Sequence, residues 1–297
     1  MAYRTLRPGQ RCQVWVGGPD LAEPELIFET DELLIEAPNW SLTGEDLYVN
    51  GNGRLWRLPA DGSSGLVEIG HQGLPNINND HVLDPDGEHI YLSAESQIYR
   101  AALSGGPVER VTVDEGVQHY LHGISPDGRR LAYVLLAGTA PGRLAIMTPG
   151  GPSTVVDDLP GHLDGPEWSP DGQWIYVNTE AFTDRPGHAQ LARLRDASIG
   201  EDVEVERLVV SDTVDWFPHL SLDGRHASYI AFPSGTLGHP EDREVEVRVV
   251  ATDDWTTPLQ RYPLFGGQGT LNVNSWAPGA PAIPGRRFAF VAYPIAT

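Results

Sequence analysis

Apolar and polar residues alternate along this chain in short bursts, each closed by a cluster of Gly, Pro, Asp or Ser. In "YLHGISPDGRRLAYV" (120–134) the middle is a turn signal: Pro126 pre-sets φ, Asp127 bonds its own backbone, and Gly128 takes the left-handed position. The flanks, "HGI" and "RRLAYV", carry the β-branched, aromatic and alternating apolar residues of paired strands. The same pattern returns in "HVLDPDGEHIYLSAE" (81–95), "PEWSPDGQWIYVNTE" (166–180) and "PHLSLDGRHASYIAF" (218–232). Weaker copies are "PNWSLTGEDLYVNG" (38–51) and "NSWAPGAPAIPGRRFAFVAY" (274–293). Aligning the turns on Ser41, Asp84, Ser125, Ser169, Ser221 and Ala277 gives spacings of 43, 41, 44, 52 and 56 residues.

That period is one four-stranded propeller blade, so six copies predict an all-β, six-bladed β-propeller filling residues 1–297 as a single domain. In blade two the four strands are "NNDHVL", "EHIYLSAE", "SQIYRAAL" and "VERVTV", from the channel outward. The column before each turn reads Trp40, Leu83, Ile124, Trp168, Leu220 and Trp276, the large apolar residues that packing between blades requires. The sixth copy has only two strands before Thr297, while "CQVWVGG" and "PELIFET" stand unassigned near the start. Residues 11–30 are therefore expected to supply the two outer strands of the last blade and so cover an open sheet edge. The surplus length of the longer spacings lies in 182–190 and 232–245, loops expected on the face where chains approach the inner strands.

Composition narrows the function. A net charge of −21 repels phosphate backbones and argues against a nucleic-acid partner. All 20 basic residues are arginine, so lysine Schiff-base chemistry is excluded. No apolar run reaches the length of a membrane span, which argues against membrane insertion. The N-terminal residues lack the apolar stretch of a leader and Cys12 is the single cysteine, so a cytoplasmic location is expected.

The chemistry concentrates just before the core column. There stand His81, His122, Glu167 and His219, far apart in sequence but expected to converge on one axis. Histidines with a carboxylate suit a divalent cation of manganese, zinc or iron type, with His81, His122 and His219 as ligands. The alternative is a metal-free site in which a histidine acts as acid or base. His81 and His122 occupy one column, however, and Glu167 and His219 the next. Strand alternation points adjacent columns to opposite faces unless the chain bends near Pro166 and Pro218. Asn79, Asp80, Asp164 and Trp216 flank the same positions, and Gln268 sits in the glycine-rich "LFGGQGTLNVNSW" that leads to Asn274. Glu167 or Asp80 is the expected general base, with Asn79, Trp216, His239, Gln268 and Asn274 as ligand-binding groups. His119 and His239 read as ambiguous, whereas His71, His89, His162, His188 and His226 read as surface or loop residues. No GxSxG, HExxH or paired-cysteine motif is present.

The repeated "SPDGRRLAYV" and "SPDGQWIYV" blades resemble the TolB-like β-propeller family over nearly the whole chain. "NNDHVLDPDG", "DGPEWSPDG", "WFPHLSLDG", "GHPEDREVEVRV" and "GGQGTLNVNSW" look like a subgroup labelled Tol-type biopolymer transporters. TolB itself is a periplasmic partner of an envelope complex, a role the missing leader argues against. A related propeller, oligogalacturonate lyase, holds manganese with histidines and a glutamine. That likeness implies such chemistry at His81, His122, His219 and Gln268, with Glu167 a departure. Two functions follow as expectations: a metal-dependent lyase or hydrolase acting on a sugar or small oligosaccharide, or a non-catalytic propeller that binds a ligand or protein partner.

Overall fold

The computed structural model describes residues 3–156, 161–198, 203–279 and 286–295. These form six sheets, one per blade, each antiparallel apart from one parallel strand added to blade two. Blade one runs from the inner strand Ile35–Trp40 through Asp46–Gly51 and Arg54–Pro59 to Val67–Ile69. The inner strands of blades two to five are Ile77–Leu83, Gln118–Ile124, Leu163–Trp168 and Val214–Leu220. Among the described residues the helical content is one 3-10 turn, Asp196–Ser198, and no helix is long and apolar enough to cross a membrane.

The turn chemistry is what the sequence implies. Ser125 Oγ donates to Asp127 Oδ1 at 2.6 Å and accepts the Arg130 N–H at 2.9 Å. Gly128 closes the turn on Ser125 O with φ 71°, where a side chain would be strained. Ser169 with Asp171, and Ser221 with Asp223, repeat the arrangement in blades four and five. Core packing runs between blades: Trp168 of blade four lies against Ala132, Leu144 and Ile146 of blade three.

The ring closes as expected. Cys12–Gly17 pairs antiparallel with Phe288–Ala292, and Glu25–Thr30 pairs with Cys12–Gly17 on the outside. The innermost position of this blade differs from expectation, being one isolated bridge, Trp276 to Phe288, rather than a full strand. Side chains divert its backbone: Asn272 Oδ1 accepts the Gly269 N–H and Asn274 Oδ1 accepts the Trp276 N–H. Such local bonds compete with a β-ladder.

The two histidine columns are separated by bulges. Pairing to the second strand slips between Glu36 and Asn39, Ile77 and His81, Leu121 and Gly123, Asp164 and Glu167, and Trp216 and His219. Ala37, Gly165 and Phe217 take positive φ there, at 53°, 60° and 56°. Four of these bulges add one residue and so reset the alternation, and the one after Ile77 adds two. Glu36, Asp80, Tyr120, Asp164 and Trp216 line a cavity at one mouth of the channel, and Asn39, Val82, Gly123, Glu167 and Leu220 line a second one.

Candidate functional site at the propeller mouth

The larger mouth holds a cavity of about 980 Å³ lined by every inner strand of blades one to five. Residues two apart on a strand share a face. Tyr120 and His122 line it in that way, whereas the slipped pairing after Ile77 brings Asn78, Asn79 and Asp80 to the wall in succession; Asp164 and His162, just before its strand, line it too. The 232–245 loop contributes Leu237, His239 and Glu241. Loop 182–190 braces it from outside, for a Cβ at Gly187 would stand 2.7 Å from the Leu237 side chain.

Asp164 is the hub. His122 Nε2 lies 3.0 Å from its Oδ1, and the Nε2 atoms of His162 and His239 each lie 3.7 Å from its Oδ2. Burial pushes the Asp164 carboxyl up, but the three imidazoles outweigh it and hold the group well below the usual carboxylate range. His122 also donates from Nδ1 to Asn272 O at 3.2 Å, so both ring nitrogens face acceptors. Burial disfavours its charge, yet Asp80, Asp164 and the Asn272 carbonyl together raise it to about 9. Its surroundings thus favour the charged ring, which is stacked on Phe217.

A hydrogen-bond relay runs around the rim from His239. Its Nδ1 pairs with Gln268 Oε1, Gln268 Nε2 donates to Asn79 Oδ1 at 3.1 Å, and Asn79 Nδ2 donates to Glu36 Oε1 at 3.3 Å. Arg4 clamps that end, 2.9 Å from Glu36 Oε1 and 2.5 Å from Gln268 O. Trp216 packs against His239 with ring centroids 4.5 Å apart, and its buried Nε1 has no partner among the described residues.

Asp80 is the exception in this wired rim. Its Oδ2 accepts from Asn78 at 2.6 Å, while the nearest cation to its Oδ1 is His122 Nε2 at 3.8 Å, beyond hydrogen-bond reach. Burial raises the carboxyl to about 6, against the pull of His122.

The expected residues therefore divide. Asn79, Asp80, His122, Trp216, His239 and Gln268 meet at this mouth. Glu167 and Asn274 line a cavity of about 370 Å³ at the other end, which His122 also reaches. Glu167 accepts from the Leu220 N–H at 3.0 Å, from Asn274 at 2.7 Å and from His219 Nδ1 at 2.6 Å. His219 Nε2 points to Leu271 O at 3.1 Å. His81 is fully buried, 2.7 Å from Asn39 Oδ1 and 3.3 Å from Asn50 Oδ1, and burial pushes it down to about 3.

These placements bear on the cation expected at His81, His122 and His219. The donor atoms of all three rings face protein partners, and the set does not converge. Among the described residues, no group of three or more His, Cys, Asp or Glu could hold a metal. The three-histidine set does not fit a cation. Titration with manganese, zinc or ferrous ion is expected to give no saturable rise in Tm. A saturable rise that His122→Gln abolishes would restore the metal centre.

His162, read from sequence as an ordinary loop residue, belongs to the site. Its Nδ1 accepts the Gly142 N–H at 2.9 Å, which turns Nε2 toward Asp164. Asp164 raises it against the lowering effect of burial. The signal was the His-x-Asp spacing at a strand start. Glu36, Arg4 and Glu180 carried no comparable signal.

Fold and site together define a six-bladed propeller with a buried acid–histidine cluster at one mouth. A scan against models of known protein families returns no match. An uncharacterized protein of Agrobacterium fabrum is 34% identical over 274 residues, covering 90% of this chain and 87% of that protein. A solved structure provisionally assigned as TolB from Agrobacterium tumefaciens superposes with TM-score 0.84 at 30% identity, covering 97% of this chain and 99% of that one. The chain belongs to the TolB-like six-bladed β-propeller family. Oligogalacturonate lyase in complex with manganese is similar at TM-score 0.54 and 12% identity, over 90% of this chain and 75% of that one, a likeness of fold.

Proposed function

We propose that the mouth cavity binds a sugar or small oligosaccharide and that Asp80 transfers a proton to or from it, in lyase or hydrolase chemistry. The observation that carries this reading is the buried Asp80 carboxyl at the cavity wall, whose Oδ1 has no hydrogen bond among the described residues and which burial raises to about 6. A group half-ionised near working pH is suited to proton transfer. Amides from Asn78, Asn79 and Gln268, with the rings of Tyr120 and Trp216, suit a hydroxyl-rich ring with apolar faces. The His122 cation beside Asp80 would steady negative charge that develops there.

Asp80→Asn is expected to lower turnover about 100-fold or more while leaving the Kd for an uncharged oligosaccharide nearly unchanged. The assay is product formation against calorimetric binding across an oligosaccharide panel. A base role makes kcat/KM rise with pH through about 6, and an acid role makes it fall. Full turnover in Asp80→Asn would refute the assignment.

A second reading, a propeller that docks a protein partner, is favoured by the opposite mouth. Its cavity is ringed by one apolar residue per blade: Leu42, Pro85, Pro126, Pro170, Leu222 and Pro278. Leu42 and Leu222 are 45% and 50% exposed. A Leu222→Asp variant that loses a partner but keeps sugar binding would favour it.

A further inference from the structure

The charges of the mouth narrow the ligand further. Five lining carboxylates, Glu36, Asp80, Asp164, Glu180 and Glu241, outnumber the two lining groups that favour positive charge, Arg4 and His122. Both are already engaged. Arg4 holds Glu36 and the Gln268 carbonyl, and His122 holds Asp164 and the Asn272 carbonyl. Asp164 in turn is surrounded by three imidazoles, and Glu36 accepts from Arg4, Asn50 and Asn79.

Acceptor capacity is left at three places. Asp80, 5% exposed, lines the cavity and among the described residues has no hydrogen bond to Oδ1. Glu180 accepts the Gly187 N–H through Oε2, and among the described residues neither it nor Glu241 has an ion-pair partner. Ionised carboxylates accept and do not donate, so they call for a ligand rich in donors. An ammonium supplies three donors, no acceptor and a compensating charge. A carboxylate on the ligand would meet like charge and no free arginine, in a chain whose net charge of −21 already repels anions.

We propose that the mouth selects amine-bearing sugars, with a protonated amino group drawn by the Asp80, Glu180 and Glu241 carboxylates, and that it rejects uronates. This rests on reading the mouth as a sugar site.

Calorimetry with three probes tests it: a glucosamine trisaccharide, its fully N-acetylated counterpart, and trigalacturonate. The free-amine probe is expected to bind about tenfold tighter than the acetylated one in dilute buffer, with proton uptake as the amine becomes fully charged. That advantage should shrink in high salt and in the Glu180→Gln, Glu241→Gln double variant. Trigalacturonate should show no saturable binding. If the acetylated probe or trigalacturonate binds as tightly as the amine, the amine preference is overturned while the sugar site stands. If none of the three binds, both fall together.

Discussion

Replacing His122 with glutamine is expected to destabilise the protein by about 3 kcal/mol at neutral pH, a fall in Tm on the order of 10 °C. The side chain is 3% exposed and lies within 3.8 Å of two buried carboxylates, Asp80 and Asp164. Removing one partner of a buried pair leaves the other charge without compensation, which costs more than the pair itself contributes. The pH dependence identifies the cause. The folded-state value of about 9 lies above the ordinary imidazole value of 6.5, so the protonated ring favours the folded state. That contribution is fully present below 6.5 and is lost as pH rises through about 9. The gap between wild type and variant should therefore close at alkaline pH. An unchanged Tm at neutral pH, or a gap constant across that window, would show that His122 is not a buried cation.

Deleting residues 3–30 should have the larger effect and abolish cooperative unfolding. This segment supplies two of the three strands in the last sheet. Cys12, Val14 and Val16, at 0%, 0% and 5% exposure, pack in one cluster with Leu34, Ile35, Val49, Ala289 and Val291. Three such side chains, each worth about 1.5–3 kcal/mol on burial, approach the total stability of an ordinary domain before any lost ladder bonds are counted. The deletion also opens the Phe288–Ala292 edge, so aggregation should accompany it. Val14→Asp offers a milder test, placing a carboxylate where no water reaches. A truncated chain that melts like the intact one would mean that the ring does not depend on this closure.

The fold was legible because its determinants are local and repeated. Ser125, Asp127 and Gly128 dictate a turn wherever they occur together, and the column from Trp40 to Trp276 marks each blade interface. Closure was legible from an imbalance, two strands missing at one end and two spare at the other. The missing inner strand of blade six was not, because Asn272 and Asn274 redirect the backbone through side-chain bonds.

The site was legible by region and obscured in its roles. Asp80, His122, Trp216, His239 and Gln268 do meet at the mouth. His81 and His219 do not, because the bulges before them turn them toward Asn39 and Glu167. Equivalent blade positions could not reveal a bulge, since a bulge is defined by the facing strand. Nor could a histidine's partners be read from its own segment: His122 finds Asn272 across 150 residues, and His219 finds Glu167 across 52. The proposed standing of Asp80 as proton-transfer group comes from what its neighbours already hold, a property of the assembled mouth.

That standing can be measured without knowing the reaction. An NMR titration of the aspartate side-chain carboxyl carbons, with Asp80 assigned through Asp80→Asn, reads the group directly. A midpoint near 6 is predicted, moving when saturating oligosaccharide fills the cavity. A carboxyl that titrates at its ordinary value of 3.8, indifferent to any oligosaccharide, would contradict the account.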